Sequence, residues 1–227
     1  MSAQLAIHPP ASPLPARAYL KDEAYTQLKQ RLLSSHYPPG SFLSERQLAR
    51  DFGMSKTPVK AALERLEAEG YVSVSPQQGI VVRELSIREI ADQYEIRSAL
   101  ESYVVRTLAG RLTPRQVESV QGNLQAQADL RGTSEVGRGV ELDAVFHTQF
   151  VEFLGNQEIV RVFGQLRDRM QRIVTRVFQI TPTRIDSSYN EHVDIATAII
   201  AGQGPKAAAL MVAHLERGKQ LILSPRA

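Results

Sequence analysis

The N-terminal part of the chain carries a helical hydrophobic pattern that gives way to an extended one. Apolar residues recur every three to four positions in three stretches, as on the buried face of a helix. The predicted helices span residues 19–34, 44–52 and 55–70. Ser44 is expected to cap the second helix, with Gln47 as its reciprocal partner. The hydrophobic period then falls to two, which predicts short strands at residues 71–74 and 80–82.

The remainder of the chain predicts helices only. Ser86 with Glu89, and Thr113 with Gln116, have the spacing of capping boxes that begin two helices. Four more helices are expected at residues 140–154, 157–179, 184–201 and 205–223. The expected fold class is therefore mainly α: an N-terminal winged helix-turn-helix with a small β-hairpin wing, followed by an all-helical antiparallel bundle.

Length and composition set the domain organisation. A chain of 227 residues is long enough for two ordinary domains. We expect a flexible, proline-rich arm over residues 1–17, the winged helix-turn-helix over residues 18–84 and the helical domain over residues 85–227. Without cysteine, any metal must be held by nitrogen and oxygen ligands. No signal peptide or membrane span is evident, so we expect a cytoplasmic protein that does not enter the membrane.

Positive and polar residues stand where a helix-turn-helix meets DNA. The formal net charge of +3 is too small to identify a nucleic-acid binder, so local pattern must decide. The expected DNA contacts are Arg46, Lys56, Thr57, Lys60, Gln77, Gln78 and Gly79. Two lysines four residues apart usually indicate only a solvent-exposed helix face. Lys56 and Lys60, however, lie at the N-terminal end of the predicted recognition helix, which enters the major groove first. Residues 77–79 form a wing tip small enough for a minor groove.

A set of spaced residues within about 21–83 forms a recognisable signature: Pro39-Gly40, Leu43, Glu45, Leu48-Ala49, residues 55–59, Ala62-Leu63, Leu66, Glu69-Gly70 and Gly79. This set resembles the signature of the GntR family of bacterial repressors. Family members usually have arginine at the positions of Lys56 and Lys60, and glutamate at that of Ala61. Lysine retains the charge that binds phosphate but lacks the bidentate fork that reads guanine.

A carboxylate and three histidines form a candidate metal site in the helical half. Asp143 and His147 are four residues apart in a predicted helix and share one face. His192 and His214 have apolar neighbours at helical spacing: Ile195 and Ile199 for the first, Leu210 and Leu221 for the second. Each histidine alone is more often an ordinary core residue. Together the four offer three nitrogens and one oxygen to a divalent metal, with zinc expected first and nickel or manganese as alternatives.

Two charges interrupt an otherwise apolar stripe in the helix that begins near residue 87. The stripe consists of Ile90, Tyr94, Arg97, Glu101, Val104 and Leu108. One interpretation is an internal ion pair between Arg97 and Glu101. The other is that Arg97 reaches a cavity and binds the carboxylate of an effector with its planar fork.

The helical half is similar to the FCD effector domain of the FadR branch of the GntR family. The similar residues are 95–101, Asp143, His147, His192 and His214. This resemblance implies that the Asp and three His bind a divalent metal, often with a small organic acid completing the coordination. The number of helices predicted after the linker, six, is similar to that of the smaller, VanR-like subgroup.

The resulting hypothesis is a transcription regulator, expected to be a repressor, that is controlled by a small carboxylate. We expect a homodimer on an imperfectly palindromic operator in double-stranded DNA, because two-fold proteins read two half-sites. Two alternatives remain at this stage. Three histidines and a carboxylate suit a metal-dependent hydrolase, although no general base is evident beside them. The helical domain could also serve dimerisation alone, in a constitutive DNA binder.

Overall fold

The computed structural model describes residues 16–75, 79–133 and 135–223. The chain divides into two compact units, the first ending at Glu84 and the second beginning at Leu85, with Leu33–Ser35 also assigned to the second. Residues 1–15 of the expected arm, and Gln77 and Gln78 of the expected wing tip, lie outside the described residues.

The first unit combines three helices with a small antiparallel sheet. Its elements are α1 (Ala16–Leu33), β1 (Phe42–Leu43), α2 (Glu45–Asp51), α3 (Lys56–Ala68), β2 (Val72–Ser75) and β3 (Gly79–Val82). The strands lie in the order β1-β3-β2, with Leu43 opposite Ile80 and Val72 opposite Val82. The winged helix-turn-helix prediction is confirmed. Strand β1 was not predicted, because two residues are too short to show a hydrophobic period.

Helix α3 is held by its apolar face. Val59, Leu63 and Leu66 are almost completely buried, while the polar side of the helix is exposed. At its C-terminal end, the Glu67 carboxylate accepts a hydrogen bond of 2.7 Å from the Val74 amide, which ties the wing to the helix. Gly53, in the turn between α2 and α3, has φ of 64°. A glycine is favoured there because this left-handed conformation strains other residues.

The predicted reciprocal cap at Ser44 is wrong. Ser44 precedes α2 in an extended conformation, but its side chain makes no capping hydrogen bond. The Gln47 amide instead donates to Asp51 and its oxygen accepts from Arg50, at 2.6 and 2.5 Å. Partners three and four residues further along the same helix therefore replace the cap.

The second unit is entirely helical. Its described helices are α4 (Ile87–Leu108), α5 (Pro114–Ala128), α6 (Val136–Leu154), α7 (Gln157–Ile180), α8 (Arg184–Ile200) and α9 (Gly204–Leu223). Capping boxes at Ser86 and Thr113 are both confirmed, each with the side-chain and backbone bonds in place. Helix α4 packs along α9, and α6 along α7.

The core of this unit runs between its helices. Phe146 and Phe150 on α6, Ile195 and Ile199 on α8, and Met211 on α9 are at most 1% exposed. The mainly α fold class is thus confirmed. Among the described helices, none combines the length and apolar character needed to cross a membrane.

Two threonines at helix starts provide a matched test of capping. The Thr113 hydroxyl accepts from the Gln116 amide, whereas Thr183, which precedes α8, makes no side-chain cap. Both are exposed and lie in the same unit. We predict that Thr113→Ala lowers the free energy of unfolding by about 1 kcal/mol and that Thr183→Ala changes it by a few tenths or less. Urea unfolding followed by circular dichroism measures both; equal losses would contradict the assignment.

Candidate metal centre

Three helices bring the four predicted metal ligands together. Asp143 and His147 lie one turn apart on α6, His192 lies on α8 and His214 on α9. All four side chains are buried, and one potential ligand atom from each lies within 4.8 Å of the others. The chain therefore has a buried cluster of one carboxylate and three imidazoles that could hold a metal ion.

His214 is buried, as its helical spacing predicted. Of its two expected apolar neighbours, Leu210 is half-buried and packs against the core, whereas Leu221 is 37% exposed. The fully buried residues of α9 near the histidine are Ala207, Met211, Leu215 and Gly218. His214 thus lies at one edge of the buried stripe.

Each histidine ring is oriented by a hydrogen bond at Nδ1. The pairs are His147 Nδ1 with Glu101 Oε2 at 2.5 Å, His192 Nδ1 with Gln127 Oε1 at 2.8 Å, and His214 Nδ1 with Glu191 Oε2 at 2.6 Å. An ionised carboxylate or a carbonyl oxygen can only accept, so a neutral ring that bonds to it carries its proton on Nδ1. At His214 the 2.6 Å bond to Glu191 is shorter than the 3.2 Å contact between Nδ1 and Arg184 Nη2, which favours the same assignment. This is the arrangement in which outer carboxylates and carbonyls orient metal-binding histidines.

The electrostatics favour ionised Glu101 and Glu191 and a neutral His214 ring. Burial raises the pKa of Glu101, but the charge of Arg97 and the hydrogen bonds from His147 and Arg97 outweigh it and lower that pKa to about 2. The pKa of Glu191 is also lowered to about 2, because hydrogen bonds from His214 and Arg184 outweigh burial. Burial lowers the pKa of His214 to about 4, even though its bond to Glu191 acts to raise it. At neutral pH this ring is therefore uncharged.

The remaining ring nitrogens face one another. His214 Nε2 lies 3.2 Å from His147 Nε2 and 3.4 Å from His192 Nε2. Asp143 Oδ1 lies 3.7 Å from His192 Nε2 and 4.0 Å from His147 Nε2. The Ser188 hydroxyl oxygen lies 3.4 Å from His192 Nε2 and can donate one proton. One proton cannot satisfy four acceptors, whereas a divalent cation can, so the donor set fits a metal.

Arg97 forms the internal ion pair that the sequence suggested and also lines a cavity. It is 4% exposed, and its Nε donates to Glu101 Oε1 at 2.5 Å, so the internal ion pair is present. The same residue also lines two cavities beside the metal cluster. Glu101 thus binds Arg97 through Nε, at a residue that lines both cavities.

The two cavities meet at Arg97, Asp143 and Val174. The first lies between α6 and α7, and its other lining residues are Val140, Ala144, His147, Thr148, Phe163, Leu166, Arg167, Met170 and Gln171. The second is more polar and includes Tyr94, Arg184, Ser188 and His214. Burial raises the pKa of Tyr94 to about 12, so its hydroxyl stays protonated. Gly218 makes room for it, because a Cβ there would stand 2.9 Å from the Tyr94 oxygen.

Sequence reasoning missed the partners that orient the rings. Glu101 was considered only as the partner of Arg97, and Gln127 and Glu191 were not considered. Arg184 also escaped notice, although it donates to both oxygens of Glu191 at 2.7 and 2.6 Å. The one available signal was that a metal-binding histidine usually has an acceptor behind it. That rule gives no means of choosing the acceptor among distant helices.

The predicted DNA contacts that the structure describes are exposed. Arg46 lies on α2, Lys56, Thr57 and Lys60 lie on the first turns of α3, and all four are open to solvent. Lys60 is only loosely paired with Glu64, at 4.0 Å. Gly79 begins β3 with φ of 81°. The four side chains of Arg46, Lys56, Thr57 and Lys60 are therefore accessible to a partner.

Comparisons with known proteins agree with this organisation. Residues 20–82 match the family described as bacterial regulatory proteins, gntR family, and residues 92–217 match the FCD domain. The chain is 28% identical over 191 residues to the Nta operon transcriptional regulator of Aminobacter aminovorans, covering 84% of this chain and 89% of that protein. It is 25% identical to the HTH-type transcriptional repressor RspR of Escherichia coli, covering 87% and 86%.

A solved structure shows the same fold. A putative transcriptional regulator GntR from Rhodococcus sp. RHA1 superposes with a TM-score of 0.78, at 17% identity, over 91% of this chain and 99% of that one. These matches are to regulators of transcription, so the alternative of a metal-dependent hydrolase is excluded.

Proposed function

The chain belongs to the GntR family of bacterial transcription regulators and carries an FCD domain, and from this premise we propose that a small carboxylate bound beside a divalent metal controls its affinity for DNA. Regulators of this family bind DNA and typically dimerise. The proposal adds the metal, the class of effector and the residues that bind each.

The observation that carries the proposal is the convergence of the Nε2 atoms of His147, His192 and His214. The first two lie 3.2 and 3.4 Å from that of His214, and neutral rings with their Nδ1 protons committed elsewhere would leave these atoms as buried acceptors without donors. A metal held by Asp143, His147, His192 and His214 removes this cost. Three nitrogens and one oxygen suit zinc, which we propose as the metal, and nickel or manganese also accept such ligands.

The effector is proposed to bind where Arg97 meets the metal ligands. Four protein ligands leave room for further coordination by a carboxylate oxygen, and a bound metal supplies a positive charge there. The terminal nitrogens of Arg97 can donate to the same carboxylate, since its Nε is held by Glu101. A purely dimerising helical domain would have no use for these charged groups at a cavity wall.

The DNA-reading surface is proposed to comprise Arg46, Lys56, Thr57, Lys60 and Gly79, with Gln77 and Gln78 at the wing tip. Each recognition helix reads few base pairs, so we propose that a homodimer binds an imperfect palindrome. Occupation of the effector site would change the packing of the helices that the metal joins and thereby the affinity for this operator, most simply as release of a repressor.

The metal content of the purified protein tests the proposed site. Protein purified without chelators should contain about one divalent cation per chain, and adding the cation at about 100 times its Kd should stabilise the fold by about 2.7 kcal/mol. His147→Ala and His214→Ala should lose both the metal and the stabilisation. His36→Ala, an exposed histidine of the other unit, should change neither.

Elemental analysis and thermal unfolding together measure these outcomes. A protein that carries no metal, does not respond to zinc, nickel or manganese, and melts at the same temperature in all three variants would show that these are ordinary core histidines.

The salt dependence of DNA binding tests the proposed recognition helix. Lys56→Ala and Lys60→Ala should each weaken binding to a duplex selected from random DNA and reduce the slope of log affinity against log salt by about 0.9, since each removes one phosphate contact. Lys206→Ala on α9 serves as the matched control and should leave the slope unchanged. Fluorescence anisotropy over a salt series measures the slopes. Parental slopes in both recognition-helix variants would place the DNA surface elsewhere.

A further inference from the structure

We propose that the effector of this chain is an amphipathic monocarboxylate, with its carboxylate at Arg97 and its apolar body in the cavity between α6 and α7. This cavity is called the apolar lobe below. The inference rests on the proposed function and adds the chemical class of the ligand.

The lining of the apolar lobe separates charge from hydrocarbon. Arg97, Asp143 and His147 stand together at the metal cluster. Helix α7 supplies Phe163, Leu166, Met170 and Val174, which are spaced by three and four residues and form one apolar stripe. Val140 and Ala144 of α6 add to this apolar wall, and Thr148, Arg167 and Gln171 also line the lobe. A ligand whose head binds Arg97 would therefore extend its body over hydrocarbon.

The size of the lobe favours a small ligand. About 370 Å³ lies between the lining side chains, but this figure includes open solvent at the mouth, and the cavity itself measures only about 30 Å³. The cavity itself therefore holds only a few ligand atoms, and a longer apolar body extends along the open wall of the lobe.

A second carboxylate on the ligand would lack a partner. Arg167, the other cation of the lobe, is 60% exposed and lies 3.7 Å from Asp168. In the neighbouring polar cavity, Arg184 already donates to both oxygens of Glu191 and lies against His214. A second anionic group would therefore be desolvated against apolar side chains without an available buried cation. This argues against dicarboxylates and tricarboxylates.

The test compares matched acids on the zinc-loaded full chain by isothermal titration calorimetry. Acetate, butyrate and hexanoate lengthen the apolar body, and affinity should rise about fourfold for each buried methylene. Butyrate and succinate share a four-carbon chain and differ by one carboxylate. Succinate should bind at least about tenfold more weakly, because its second charge faces hydrocarbon.

Two alanine variants locate the binding site. Ala144 and Ala126 both line an outer groove between α5 and α6, but only Ala144 also lines the apolar lobe. Ala144→Leu should weaken hexanoate about tenfold, by displacing one or two of its methylenes from the lobe, and change acetate by no more than about twofold. Ala126→Leu should alter neither. Arg97→Lys should weaken all the monocarboxylates, because lysine lacks the planar fork.

The possible failures are distinguishable. If acetate binding depends on Arg97 but affinity does not rise with chain length, or succinate equals butyrate, the ligand class is wrong and the proposed function stands. If none of the four acids binds, both are overturned. Should Ala144→Leu fail to fold, as judged by circular dichroism and zinc content, the comparison of acids on the parental protein decides alone.

Discussion

The helical unit depends on one constraint, which is that the Nε2 atoms of three histidines meet in its interior. His214 Nε2 lies within 3.4 Å of the Nε2 atoms of both His147 and His192, and Asp143 adds a carboxylate oxygen nearby. Such a group is costly to bury without a cation. The structure nonetheless keeps all four side chains away from water and provides each ring with its own acceptor at Nδ1.

The same network extends from the rings to the surrounding helices. Glu191 accepts from His214, from Arg184 at the start of α8 and from Arg217 on α9, each at 2.6 or 2.7 Å. Glu101 joins His147 on α6 to Arg97 on α4. A ligand that engages Arg97 therefore acts on groups shared by four helices. This gives effector binding a physical route to change how those helices pack.

Much of this organisation could be predicted from the sequence, because its signals are local. Helix starts at Ser86 and Thr113 follow from capping boxes, and Asp143 with His147 share a face because they lie one turn apart. The partners Glu101, Gln127 and Glu191 could not be chosen, since hydrophobic period does not fix the register between distant helices. For the same reason the helical spacing did not show that Leu221 is 37% exposed although His214 is buried.

X-ray absorption spectroscopy on the metal-loaded protein tests the central claim most directly, because it reports the ligands themselves. The account predicts three imidazole nitrogens and at least one oxygen at about 2.0 to 2.2 Å from zinc, with a change in the oxygen shell when a monocarboxylate is added. A spectrum with at most one imidazole, unaltered by the acid, would contradict a metal centre built from Asp143, His147, His192 and His214.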